Sequence, residues 1–308
     1  MSFDVALTNV LITLLYIVPG YVVCKMKKAS ADHLSTLSTV LVYICSPCLS
    51  ISSFVSLEFS WVNLGYMALF FVATMVLQAA FMAILYAIFR KKYQDARYRI
   101  LTIGAVLGNV GFFGLPVIKA LMPNNPEVLC YSAIYGITMN ILVFTMGVFC
   151  LTQNKKYMTL KAAIFNPTML GFVIALPLHL MGAKRFMPDV LFNCIQLLGN
   201  MTAPLCMLIL GIRLATVSLK KLFSRPFVYF ISLAKLLAFP IFCFVMVYFL
   251  PLPFSFKASL LVLSSTPCAS IILNMAEIHH SETELSANCV LVSTLMCFMT
   301  IPVLTLLV

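Results

Sequence analysis

The chain has 308 residues, of which 62% are hydrophobic and only 9% charged, with a mean hydropathy of +1.06 and a formal net charge of +11. That composition lies far outside the range of soluble globular domains and excludes a water-soluble enzyme or binding module. It describes an integral membrane protein, in which excess positive charge is first of all a signal of topology.

A membrane-spanning helix needs roughly 20 mostly apolar residues. Polar punctuation divides the chain into ten such stretches, near 4–25, 34–56, 61–89, 98–121, 127–151, 160–182, 189–212, 226–250, 256–277 and 285–307. Strands of a membrane barrel would alternate in hydropathy over about ten residues. MALFFVATMVLQAAFMAILYAIF does not alternate, so the fold class is all-α. The first stretch opens Met-Ser-Phe-Asp and carries Lys25, Lys27 and Lys28 after it, the wrong order for a cleaved signal peptide. The connecting loops are too short to hold a separate domain, so function must lie among the helices.

Taken alternately, the loops collect Lys25, Lys27, Lys28, Arg90, Lys91, Lys92, Arg97, Arg99, Lys155, Lys156, Lys161, Arg213, Lys220, Lys221 and Arg225 on one side. The other side receives Lys119, Lys184, Arg185 and Lys257. Basic residues stay cytoplasmic, which places both termini outside a cell membrane. The same residues face anionic lipid, and no nucleic-acid partner is expected. Most of the eleven cysteines sit inside apolar stretches and are expected to be free thiols, Cys45 and Cys48 included.

The fourth stretch contains GNVGFFGLPVIKALMP, from Gly108 to Pro123. Proline lacks an N–H and clashes with the preceding turn, and glycine permits unusual torsions. The helix is expected to unwind there in mid-span, its freed backbone groups met by protein or by a water-filled cavity. A half-helix N-terminus in such a cavity attracts an anion. Close packing at Gly111 and Gly114 with a mere kink at Pro116 is the plainer alternative. The ninth stretch carries a second candidate break at Pro267, beside Ser264, Ser265 and Thr266.

The halves, 1–152 and 160–308, repeat these landmarks in order: Pro47 and Pro204 in each second helix, then Pro116 and Pro267 in each fourth. Five spans per half is an odd number, so the second half enters from the opposite face as an inverted 5+5 repeat.

The pattern Asn109, Gly111, Gly114, Pro116 resembles the fourth-helix signature of the auxin efflux carrier family, which includes plant PIN carriers and bacterial malate and malonate permeases. FNPTMLG, APLCMLILGIRLA, STPCAS and LVSTLMCFMTIPVLTLL agree, so the resemblance covers essentially the whole chain. It implies ten transmembrane helices with crossed broken helices 4 and 9, similar to bile-acid symporters and sodium/proton antiporters. It further implies a scaffold from 4–56 and 160–212 that forms a homodimer, and a transport domain from 61–151 and 226–307 that moves as an elevator. Small organic anions are the implied substrates, with Asn109 and Asn140 contacting a carboxylate. The long hydrophilic loop of the plant carriers is absent here.

Lys235 lies about 14 Å along a helix from Arg225 at 1.5 Å per residue, near mid-membrane. A cation there offsets a bound anion, holds a helix break through backbone carbonyls, or is purely structural. All nine acidic residues fall at span ends or in loops. Coupling to a proton or sodium would then use neutral oxygens, with Gln78, Ser265, Thr266 and Asn274 as candidates beside the substrate-site residues Gly111, Gly114, Pro116 and Pro267. Interhelical hydrogen bonding is the plainer role for Gln78 and Asn274. His279 and His280 with Glu277 and Glu282 lack metal-site spacing and suit a solvated loop. No phosphate-binding G-x-x-x-x-G-K-[ST] motif and no catalytic pair is present. The expectation is a secondary carrier, without cofactor or metal, of mono- or dicarboxylates. A same-fold ion-coupled transporter of another substrate, a channel and a sensor are the alternatives.

Overall fold

The computed structural model describes residues 3–217, 222, 225–279 and 281–308. The opening Met-Ser pair, Lys220, Lys221 and His280 lie outside them. Twelve main helical segments follow in chain order: α1 (Phe3–Lys25), α2 (His33–Ser56), α3 (Trp61–Phe89), α4 (Ala96–Gly104), α5 (Val110–Leu121) and α6 (Glu127–Thr152). Then come α7 (Pro167–Leu180), α8 (Asp189–Thr216), α9 (Pro226–Tyr248), α10 (Phe254–Ser264), α11 (Ile271–Ile278) and α12 (Thr283–Leu304). No strand occurs among the described residues. All eleven cysteines are free thiols, as their apolar settings led one to expect.

Seven of these helices are long and apolar enough to cross a membrane: α1, α2, α3, α6, α8, α9 and α12. The stretches 98–121, 160–182 and 256–277, continuous by hydropathy, are instead interrupted. In the middle one Asn166 accepts a hydrogen bond from the Met169 N–H at 2.9 Å and Pro167 takes the first helical position, so the chain must restart a helix there. Large apolar side chains such as Trp61, Val190 and Phe249 stand on the outer surface, where hydrocarbon rather than water suits them.

Two sets of helices pack in different ways. α1, α2, α7 and α8 meet through glycines: a Cβ on Gly20 would fall on the Leu208 carbonyl, and one on Gly211 on the Ile17 carbonyl. A Cβ on Gly171 would lie 2.6 Å from Pro47 Cα, and one on Gly199 would lie 2.9 Å from Leu49 Cα. Without a hydrophobic drive between helices in lipid, such backbone approach supplies the packing. α3, α6 and α10 instead interlock through rings, with Phe70 stacked on Tyr131 at 4.5 Å and edge-on to Phe256 at 4.9 Å.

Among the described residues four helices contain a widened π turn, and three of the turns end two residues before a proline. Leu41–Cys45 precedes Pro47, Val110–Gly114 precedes Pro116, and Ala234–Ala238 precedes Pro240. A proline ring would strike the carbonyl four residues back, and an extra residue in the turn relieves that clash without ending the helix. The fourth turn, Val143–Gly147, frees the Phe144 carbonyl, which accepts from the Thr159 N–H at 3.1 Å.

Candidate functional site

α4 stops at Gly104 and α5 resumes at Val110; α10 stops at Ser264 and α11 resumes at Ile271. The two gaps lie against each other as a short antiparallel bridge, Gly108 opposite Cys268. Asn109 N–H donates to Pro267 O at 2.8 Å, and Ala269 N–H to Leu107 O at 3.0 Å. Cys268 N–H donates to the Ser293 hydroxyl of α12 at 2.9 Å. Each break thus repairs the other's backbone, and buried groups that hydrocarbon would leave costly are paired.

The C-terminus of α10 is capped with equal completeness. The last carbonyls of a helix run short of backbone partners, although Leu261 O and Leu263 O here also accept from the Ser265 and Thr266 N–H groups at 3.1 and 3.4 Å. Here Ser264 Oγ donates to Leu261 O at 3.0 Å, Ser265 Oγ to Val262 O at 2.8 Å and Thr266 Oγ1 to Leu263 O at 2.8 Å. The fourth, Ser264 O, accepts from Lys235 Nζ at 2.6 Å. Lys235 is fully buried in the π turn of α9 and has no ion pair among the described residues; its ammonium sits 5.0 Å from the Phe239 ring centre. Of the roles open to it from sequence, the geometry displays the hold on a helix break.

The glycines of the quoted stretch serve different ends. A Cβ on Gly108 would collide with Thr266 Oγ1 and lie 2.9 Å from Lys235 Nζ, and one on Gly114 would lie 2.7 Å from Thr266 Cγ2. A Cβ on Gly111 meets nothing within 4 Å. Gly111 and Pro116 border a cavity of about 490 Å³ beside the bridge, between α5 on one wall and α2 and α8 on the other. The breaks themselves are packed, so the hollow expected at them lies alongside α5 instead. Its polar lining residues are Tyr16, Ser52, Ser53, Ser56, Gln196, Asn200, Thr202 and Lys119, the last being its one lining cation among the described residues. These residues were missed from sequence, where nothing in a serine or an amide marks which helix it will face; Lys119, close to a candidate break, was the available signal.

The remaining candidates are dispersed. The Asn109 amide reaches Cys206 Sγ on α8 at 3.8 Å, a bond from the break to the facing helix. Asn140 donates to Gly136 O in its own helix at 2.9 Å. Gln78 donates to Thr138 Oγ1 at 2.9 Å across α3 and α6, leaving its buried Oε1 without a partner among the described residues. Asn274 is exposed, and His279 rests edge-on to the Tyr157 ring. Outside the spans, Asp95 caps α4 by accepting from the Arg97 N–H at 3.0 Å, and its hydrogen bonds to the Arg97 side chain hold its carboxyl below the usual carboxylate range.

An uncharacterized transporter of Methanocaldococcus jannaschii is 24% identical over 293 residues, covering 92% of this chain and 93% of its own. The family model described as membrane transport protein matches residues 5–305, nearly the whole chain. The chain belongs to that family of membrane transport proteins, the auxin efflux carriers.

Proposed function

We propose that the protein is a secondary carrier of small organic anions, mono- or dicarboxylates, working by an elevator motion in the cell membrane. The observation that carries this reading is the 490 Å³ cavity walled by α5, α2 and α8, with Lys119 lining it and the joined helix breaks beside it. A cavity of that size suits a small ligand, and a lone lining cation suits an anion. Glycine-mediated packing sets α1, α2, α7 and α8 apart as the scaffold, with a second copy as its partner in a homodimer. The remaining helices, bound together at the breaks, form the moving body. The matched prolines support ten spans in an inverted 5+5 repeat.

In this reading Gly111 and Pro116 face substrate directly, while Gly114, Pro267 and Lys235 keep the crossing rigid. Asn109 meets the substrate carboxylate when its bond to Cys206 opens during the slide, and Asn140 lies deeper on α6. The cavity opens toward the side bearing Lys119, which is the outer face if the basic loops are cytoplasmic. The buried, unpartnered Gln78 Oε1 favours a second component, a coupling proton or sodium ion.

The test is counterflow. Proteoliposomes loaded with unlabelled malonate, malate, lactate or indole-3-acetate should draw in the matching labelled acid against its gradient. A channel or a sensor gives no counterflow, and its absence across the panel overturns the carrier reading.

A further inference from the structure

Gly111 also borders a smaller chamber of about 40 Å³, whose lining includes Ser46, Ser50, Ser53, Ser132 and Gly136. The two hollows share Leu49, Ser53, Gly111 and Leu115 as walls, so the chamber adjoins the larger site. A Cβ added at Gly111 or at Gly136 meets nothing within 4 Å. Both glycines therefore give onto open space, unlike Gly108 and Gly114, whose missing side chains are displaced by neighbours. A volume of this size holds about one water or one hydroxyl-sized group.

The chamber's hydrogen-bonding character follows from where its hydroxyl protons go. Ser53 Oγ donates to Leu49 O at 2.7 Å, and Ser132 Oγ donates to Val110 O at 3.3 Å. In the outer cavity Ser52 Oγ donates to Leu49 O at 3.1 Å and Ser56 Oγ to Ser52 O at 2.6 Å. A serine has one proton to give and two lone pairs to offer. With their protons committed to backbone, Ser53 and Ser132 turn acceptor capacity toward the hollow. No acidic side chain lines either space, and Lys119 lies in the outer one. A carboxylate pushed into the recess would face the lone pairs of Ser53 and Ser132, whereas a donor group would find acceptors there.

Resting on the carrier reading above, we infer that the serine recess selects organic acids bearing a hydrogen-bond donor, a hydroxyl or an amine N–H, besides the carboxylate. The carboxylate stays in the outer cavity with Lys119, and the donor enters between Ser50, Ser53 and Ser132. Acids lacking that donor leave the recess to water and bind less tightly.

The probes are matched pairs, lactate against propionate and 3-hydroxybutyrate against butyrate, titrated as inhibitors of counterflow and by thermal shift of the purified protein. The hydroxy acid should bind roughly tenfold more tightly, the scale of one well-made hydrogen bond in a buried site. Gly136→Ala puts a methyl group into the recess without a clash. It should fold normally and cut the preference to about twofold or less. Ser50→Ala should reduce the preference by removing an acceptor. Equal affinity within both pairs for the wild type, or a preference that survives Gly136→Ala in a folded protein, overturns the inference while leaving the carrier reading intact. Absence of counterflow and of any thermal shift with every carboxylate overturns the carrier reading, and the recess loses its substrate with it.

Discussion

The Lys235 ammonium lies 2.6 Å from the carbonyl oxygen of Ser264, the last residue of α10, and completes a cap whose other three members are hydroxyls of Ser264, Ser265 and Thr266. A buried cation without a carboxylate costs desolvation, while an uncapped buried carbonyl costs about 1–3 kcal/mol.

Replacing Lys235 with Met removes both the charge and the cap, so the two costs offset to within a few kcal/mol. The variant is expected to fold, with an unfolding temperature near that of the wild type. Its break should loosen and counterflow should be lost. Thermal unfolding and flux measured on one preparation check both halves, and full transport by the Met variant would remove Lys235 from the mechanism.

Gly108→Ala and Gly65→Ala should move stability in opposite directions. The first forces a methyl group onto Thr266 and Lys235, at about 1–3 kcal/mol for overpacking. The second, in α3, meets nothing within 4 Å and gains about 0.5–1 kcal/mol of helix preference. Unfolding temperatures of the two variants, measured side by side in detergent, test the close approach at the bridge.

Lys119→Gln is expected to raise KM for a carboxylate roughly fivefold with kcat little changed, because the cation attracts ground state and transition state alike. Added salt should narrow the gap between wild type and variant, since exposed charges are screened. A fall in kcat at unchanged KM would place Lys119 in the conformational step instead.

Acid should weaken the N-terminus of α4 through Asp95. Its carboxyl titrates lower in the folded protein than in the unfolded chain, because the Arg97 side chain donates to the ionised form. The stabilisation is therefore complete above the unfolded value and is lost as pH falls below about 4. Asp95→Asn keeps an acceptor for the Arg97 N–H and should flatten this dependence. Hydrogen exchange of the α4 amides across that pH range reads the difference.

The breaks were legible because helices rarely tolerate Asn109, Gly111, Gly114 and Pro116 so close together, and the backbone chemistry of those residues is local. What the breaks bond to was not legible. Pairing of Asn109 N–H with Pro267 O joins residues far apart in sequence, and Lys235 looked equally suited to an anion or a carbonyl. Ser265 and Thr266, expected at a ligand, spend their protons on Val262 and Leu263. The far wall of the cavity was hidden for a related reason: Ser52, Ser56 and Asn200 gain meaning only once α2 and α8 face α5. The restart at Pro167 was overlooked because hydropathy ignores caps.

The widened turns ahead of Pro47, Pro116 and Pro240 have a geometric corollary. Each is equivalent to one inserted residue, and a residue turns a helix by about 100° at 3.6 per revolution. Beyond Ala238 every side chain of α9 is out of phase with an uninterrupted helix, and in that register the Phe239 ring lies 5.2 Å from the Phe81 ring. Deleting a single residue between Ala234 and Ala238 would rotate all of α9 beyond the turn relative to α3, a far larger disturbance than any point substitution in the same turn.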